Sequence, residues 1–331
     1  MNPNYKITVN GSELRQEIRG RLISLQVTDE QGIQADSLYV TFNDFDQSLA
    51  IPDTEAKIEV SLGYDNDLVF FGQYVIDEFE LVGKNSLVIR GKGFDSSSTV
   101  VERKSRSFES NRLSDIARKI AEETLLELRI SEEMSGIIFE KSPIQQNQSD
   151  LGFLQGLLLK YDGLVKINNG LLVISKKGTG KSVSGAELSR LVIRPQDIEP
   201  DFRFRISGRD QYKEAKAYYY DPGEGKALEV VRGAGKPRYV FPDRFSNETE
   251  AIEACKAKLK QSAYQSKVFT CKMEARPTVR AETPVLLQGF KREVDGEYFV
   301  KRAVHQIDSS GYTMDLECLP FLDEVASNEV S

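Results

Sequence analysis

Apolar and polar positions alternate through the N-terminal third of the chain. Ile23, Leu25 and Val27 are separated by Ser24, Gln26 and Thr28; Leu38, Val40 and Phe42 by Tyr39 and Thr41; Ile58, Val60 and Leu62 by Glu59 and Ser61. A period of two places one face of each segment in a core and the other in water, which predicts strands. Further strands are expected at 68–79 and 86–94, with turn-rich breaks at 63–67 and 83–85. That spacing is typical of a small antiparallel barrel or sandwich. In the middle third the period changes. Leu113, Ile116, Ala117, Ile120 and Ala121 follow helical spacing, with Asn111 or Ser114 as candidate N-cap. A second helix is expected after Ser149, with Asp150 in its first turn and Leu151, Leu154, Leu157, Leu158 and Tyr161 on one side. Short strands at 127–130, 137–140, 164–167 and 171–175 complete an α/β unit, and the Gly/Ser/Lys-rich stretch 178–185 reads as the linker out of it.

Strands return at 202–206, 214–220, 227–231, 268–275, 285–290, 298–307 and 312–319. One helix interrupts them, 248–265, marked by Asn247 as cap and Glu250 as its capping-box partner. A faint internal repeat links the outer thirds, read either as chance similarity of two hairpins or as two related barrels. Val60 to Tyr64, Gly72-Gln73-Tyr74 and the strand after Gly83 have counterparts in Leu286 to Phe290, Gly296-Glu297-Tyr298 and the strand after Gly311. The fold expected is mainly β: a first small antiparallel β-barrel at 1–95, an α/β domain with two helices at 96–190, a second barrel with one helix at 191–322, and a tail at 323–331.

Composition narrows the function. With 331 residues, 40% apolar and 29% charged, the chain can bury sizeable cores. Its longest apolar runs, such as 68–71 and 157–159, fall far short of the roughly 20 residues that span a bilayer. The start carries no apolar signal core, so the chain is expected to stay in the cytosol or leave it by lysis or assembly, without membrane insertion. Three cysteines with no C-x-x-C spacing speak against a disulfide framework or zinc knuckle, and His305 is the one histidine. The net charge of −7 argues against a general nucleic-acid binder. The acidity is concentrated: residues 1–95 hold 8 Lys and Arg against 16 Asp and Glu, whereas the remainder is near balance.

No motif carries chemistry. Lys177 to Ser182 resembles the end of a phosphate loop, but Ser175 stands where the first glycine belongs and a poor helix start follows. His305 lies in an alternating strand, with Phe299, Lys301, Ala303 and Ile307 expected on its face, and reads as structural; Ser262 or Cys271 as nucleophilic partners lack any surrounding signature. Asp65-Asn66-Asp67 lacks the glycine and terminal glutamate of a calcium loop. Tyr218-Tyr219-Tyr220 reads as strand before a turn at Asp221-Pro222-Gly223. Catalytic, cofactor and metal sites are therefore expected to be absent.

Several stretches together resemble the late control D family of contractile bacteriophages, the tail hub proteins. They include Lys6 to Gly11, Leu22 to Asp29, Asn43-Asp44-Phe45-Asp46 leading to Leu49-Ala50-Ile51-Pro52, and Lys104-Ser105-Arg106-Ser107-Phe108. Later come Tyr239 to Pro242, the Asn247 helix, Asp295 to Val300, His305-Gln306-Ile307 and Gly311-Tyr312-Thr313. The resemblance implies a non-enzymatic homotrimer in the baseplate of a phage or prophage-like particle, related to hubs of type VI secretion and assembled in the bacterial cytoplasm. It would join the tail tube protein to a spike and contact other baseplate proteins. Members fused to a spike extend further; this sequence stops twelve residues after Leu319, which implies a separate spike protein. Two barrels in each of three chains would match a threefold spike to a sixfold tube. DNA would pass through without specific binding, and the acids of the first third, Asp44, Asp46, Glu55, Glu59, Asp65 and Asp67, are candidates for the channel lining, or else solubilise an outer face or meet a basic neighbour in the baseplate. The alternative is a peptidoglycan-processing or wall-binding baseplate component using acids near Asp65 or Asp77.

Overall fold

The computed structural model describes all residues except Gln34, 94–101, Asn169, 209–210, Pro222, Glu224, Ser246 and 322–331. The end of the expected 86–94 strand, Pro222 of the turn after the tyrosine run, and the tail lie outside the described residues. A thirteen-stranded sheet dominates, and it draws strands from both outer thirds of the chain. The period-two segments all form strands: Leu22–Glu30, Ser37–Asn43, Lys57–Tyr64, Asp67–Val82 and Ser86–Gly93.

The sheet contains the same wiring twice. In spatial order, the N-terminal unit runs Pro3–Val9, Lys57–Tyr64, Asp67–Val82, Ser86–Gly93, Ser37–Asn43, Leu22–Glu30. The C-terminal unit runs Leu191–Ile193, Pro284–Leu287, Gly296–Asp308, Gly311–Pro320, Lys267–Glu274, Ile198–Ile206. Numbered by appearance in the chain, both orders read first, fourth, fifth, sixth, third, second. Only the first pair differs in sense, antiparallel in one unit and parallel in the other.

Local detail follows the wiring. Gly72 and Gly296 have φ of 149° and 146°, and Tyr74 and Tyr298, two residues on, are both buried. Each fifth strand then bulges, between Ile76 and Glu78 in one unit and between Val300 and Arg302 in the other. A bulge turns the strand over. Tyr298 and Val300 therefore share the main core with Ala303, His305 and Ile307, whereas uninterrupted alternation had placed Phe299 and Lys301 on that side.

Neither unit closes into a barrel. Closure of the N-terminal unit would need Pro3–Val9 to pair with Leu22–Glu30, but the latter gives its second edge to Gly296–Asp308 of the other unit, with His305 opposite Val27. That pairing merges the units, and one hydrophobic core runs from Ile7 to Cys318.

Two smaller cores flank the sheet. The helices Leu113–Glu123 and Asp150–Leu158 cover a three-stranded sheet of Gly163–Asn168, Leu171–Lys176 and Glu127–Ile130. Helix caps differ in how closely they follow expectation. Ser149 accepts the Gly152 N–H at 3.1 Å, but Arg112 occupies the cap position of the first helix, because Asn111 donates its side chain to the Phe139 carbonyl instead. The 137–140 segment is not a strand; it makes only an isolated bridge at Ile138. Instead Arg103–Ser107 pairs with Ile144–Ser149, both too polar to announce themselves by alternation. The third core lies between strands Glu214–Asp221, Lys226–Gly233 and Arg238–Phe245 and the helix Glu248–Ser266, which Asn247 caps by accepting the Glu250 N–H at 2.8 Å.

Candidate functional site

The six acids do not share one surface. Asp44 is buried and its carboxylate accepts the Leu49 N–H at 3.0 Å, so it shapes its own loop. Asp46 binds Arg21 through both oxygens, at 2.5 and 2.8 Å, and that pairing drives its carboxyl far below the usual range. Both lie beside the 83–85 turn, where the Asp44 N–H donates to the Asn85 carbonyl. Asp65 and Asp67 are exposed at the opposite end of Asp67–Val82, a strand of 16 residues and therefore roughly 50 Å long. Glu59 is half-buried between them and accepts from Thr8 and Gln73, while Glu55 is exposed in the turn beside Ile76.

One dense electrostatic feature is one that no spacing in the sequence shows. Lys166, on a strand of the middle unit, packs largely covered against the main sheet. Its ammonium donates to Asp29 Oδ1 at 2.5 Å, the Glu30 carbonyl at 2.8 Å and Asp36 Oδ1 at 2.9 Å. Asp29 also accepts the Ala281 N–H at 3.3 Å and faces the Arg280 guanidinium at 3.8 Å. Residues from all three parts of the chain therefore meet here. Burial opposes the Asp29 charge, but Lys166 and Arg280 outweigh it and hold this carboxyl below its ordinary value. Asp36 is pushed up to about 6 by burial and by the Asp29 charge beside it. Lys166 is disfavoured by burial yet held above the ordinary lysine value by its two carboxylates.

His305 sits behind this junction, fully buried. Its Nε2–H donates to the Val279 carbonyl at 2.9 Å and its Nδ1 accepts from the Tyr312 hydroxyl at 3.0 Å, with Phe71 edge-on at 4.7 Å. Both ring nitrogens are committed, and burial with the Arg280 charge depresses its pKa to about 4. Among the described residues neither candidate nucleophile accompanies it. Ser262 is tied to Tyr212 and Leu259, and the Cys271 thiol is pushed up to about 12 by burial. Another buried carboxylate, Asp150, fixes its helix by accepting from Lys104 and Arg106 at 2.6 Å each. Among the described residues no group of His, Cys, Asp and Glu could hold a metal ion, and no helix is long and apolar enough to cross a membrane.

Such a molecule is built of buried locks and broad sheet faces. The profile of the phage tail baseplate hub (GPD) family matches residues 50–311. The chain belongs to this family. It is 26% identical to the probable baseplate hub protein of Escherichia phage P2, over 98% of this chain and 95% of that protein. A tail protein of Neisseria meningitidis has the same fold, with a TM-score of 0.74 and 14% identity over 98% of this chain and 99% of that one. An Escherichia coli type VI secretion component, described as structurally similar to T4 tail proteins, matches with a TM-score of 0.58 and 11% identity, over 96% of this chain and 77% of that one.

The protein is therefore a baseplate hub of phage tails, from a family of structural and non-enzymatic proteins. The wall-processing alternative is not favoured. Asp77 is engaged by Lys92 at 2.7 Å and Asp65 accepts the Asn2 N–H, so neither belongs to a carboxylate pair poised across a cleft.

Proposed function

We propose that this hub is a homotrimeric ring that joins the tail tube to a separate spike protein within the virion baseplate, after assembly in the host cytoplasm. The doubled six-strand wiring supports the reading. Three chains with two like units each present six similar modules around an axis, which suits a sixfold tube on one side and a threefold spike on the other. Interfaces that withstand contraction of a tail need the area of obligate assemblies, on the order of 2,000 Å² or more. Sedimentation at micromolar concentration is expected to show a trimer, either alone or once spike protein is added. A chain that stays monomeric with spike and tube proteins present counts decisively against the ring.

In this ring the DNA passes without specific contacts. The acids of the first third that face water serve the passage as a rim, Asp65 and Asp67 at one end of the long strand with Glu55 and half-buried Glu59 behind them, whereas Asp44 is buried and Asp46 is neutralised by Arg21. Carboxylates at a narrow mouth repel a polyanion, because low-dielectric walls focus their field. Replacing Asp65 and Asp67 by Lys is expected to create salt-sensitive DNA binding while assembly is retained. Unchanged DNA affinity in that variant at low salt disproves the rim role and leaves the ring intact.

A further inference from the structure

The two units differ most at one place, the second edge of the fifth strand. In the C-terminal unit that edge is covered: Gly296–Asp308 pairs with Leu22–Glu30, placing Ala303 opposite Asp29, Val304 opposite Thr28 and His305 opposite Val27. In the N-terminal unit the equivalent stretch, 77–82, pairs with Ser86–Gly93 along one side and has no strand on the other among the described residues. Its apolar side chains stand in water, Phe79 at 39% exposure and Leu81 at 59%. The counterpart of Leu22–Glu30 is Ile198–Ile206, which pairs with Lys267–Glu274 and is likewise bare on its second edge among the described residues, with Phe202 43% and Ile206 55% exposed. Six strands separate Ile198–Ile206 from Asp67–Val82 in the sheet order, and no pairing joins their bare edges within one chain among the described residues. An uncovered, partly apolar edge is an invitation to pair.

We propose that copies of the hub join head to tail by repeating the internal pairing between chains, with 77–82 of one copy adding to 202–206 of the next. The inference rests on the ring reading and specifies which edges close it. The register follows from the repeat. Ile76 and Val300 flank the matching bulges, so Phe79, Glu80 and Leu81 take the places of Ala303, Val304 and His305. Tyr39 lies opposite Arg90 and Thr270 opposite Glu317, while Arg90 faces Glu78 and Glu317 faces Arg302, which makes Tyr39 and Thr270 equivalent. Gln26 opposite Tyr39 then corresponds to Arg203 opposite Thr270, and Val27, Thr28 and Asp29 correspond to Phe204, Arg205 and Ile206. Between copies, Phe79 thus faces Ile206, Glu80 faces Arg205 and Leu81 faces Phe204. Apolar meets apolar and acid meets base, although the register was fixed from backbone pairing alone. Cross-strand pairs of both kinds stabilise antiparallel sheets. A heterologous contact of this kind forms a ring when its rotation closes.

Charge reversal tests the pairing. Arg205 is exposed on an edge strand, so Arg205→Glu keeps the fold, and it is expected to weaken assembly at least tenfold in sedimentation with spike protein present. The exchange Glu80→Arg with Arg205→Glu restores assembly, leaving Glu78 to hold Arg90 at 2.8 Å. Glu80→Cys with Arg205→Cys gives covalent oligomers on oxidation, whereas either cysteine alone gives none; the native cysteines are buried. A trimer that forms equally well with Arg205→Glu overturns the pairing and spares the ring. Wild-type protein that never associates overturns both.

Discussion

Lys166→Met is expected to lower the unfolding free energy by about 3–5 kcal/mol at pH 8, as measured by urea denaturation of the isolated hub. The substitution keeps the buried volume and removes the charge that Asp29 and Asp36 share. Two carboxylates are then left in a largely enclosed site with only Arg280 nearby, at 3.8 Å from Asp29. Breaking one side of a buried ion cluster costs more than the cluster contributes, because the partners lose their compensation. The loss also depends on pH. Without Lys166 both carboxyls rise, and a carboxyl raised in the folded state gives stability that is present at low pH and disappears as pH climbs through its folded value. Asp36 already stands near 6 with the lysine in place, so the deficit of the variant is largest at pH 8 and shrinks below pH 6. A deficit below about 1 kcal/mol at pH 8, or one independent of pH, would show that the junction is not electrostatically locked.

Such a lock has a plain use in a hub. It fixes the middle unit against the doubled sheet at a point where the chain segments 29–36, 166 and 280–282 converge. Glu282 extends it by accepting from Gln31 and from the Gly178 N–H, which ties down the glycine-rich connection. That connection is thus held to the sheet through this contact, although its composition alone predicts only a linker.

What the sequence revealed and what it hid follow from range. The strands and three main helices were legible because alternation, helical spacing and caps are local signals, as in Ile58-Val60-Leu62 or Asn247 with Glu250. Arg103–Ser107 and Ile144–Ser149 were not, since each pairs through its backbone while carrying mostly polar side chains. A bulge is equally silent: one inserted residue at Lys301 reverses the faces that simple counting assigns. The repeat was visible in Gly72-Gln73-Tyr74 and Gly296-Glu297-Tyr298 because a positive-φ glycine followed by a buried tyrosine demands particular residues. The acids divide by burial and pairing in a way the sequence does not show, because a count of charge in a segment carries nothing about which carboxylate caps a loop, as Asp44 does, and which faces water. The junction needed residues 137 positions apart to meet. No periodic signal reaches that far.

The second large effect concerns acid. His305 has a folded pKa of about 4 against 6.5 for an ordinary histidine. The unfolded chain therefore takes up this proton below pH 6.5 while the native state refuses it until about 4, so stability falls across that window, by about 3 kcal/mol at one pH unit per 1.4 kcal/mol. Asp36 does the reverse. Its folded pKa of about 6 lies above the ordinary 3.8, so the native state takes up its proton first as pH falls, and stability rises by a similar amount between pH 6 and pH 4. The two nearly offset each other, and the wild-type hub is expected to show little change of stability between pH 7 and pH 4 from this pair. Single substitutions unmask each half. His305→Gln, which retains a donor for the Val279 carbonyl, is less stable than wild type at pH 7 but regains about 3 kcal/mol relative to it by pH 4. Asp36→Asn, which keeps an acceptor for Lys166 and the Glu30 N–H, is expected to become acid-labile over the same range. Urea titrations at pH 7, 5 and 4 measure both slopes. Parallel profiles for the two variants would mean that neither group titrates as its surroundings dictate, whereas slopes of opposite sign would establish a hub whose core is balanced against acid by one buried base and one buried acid.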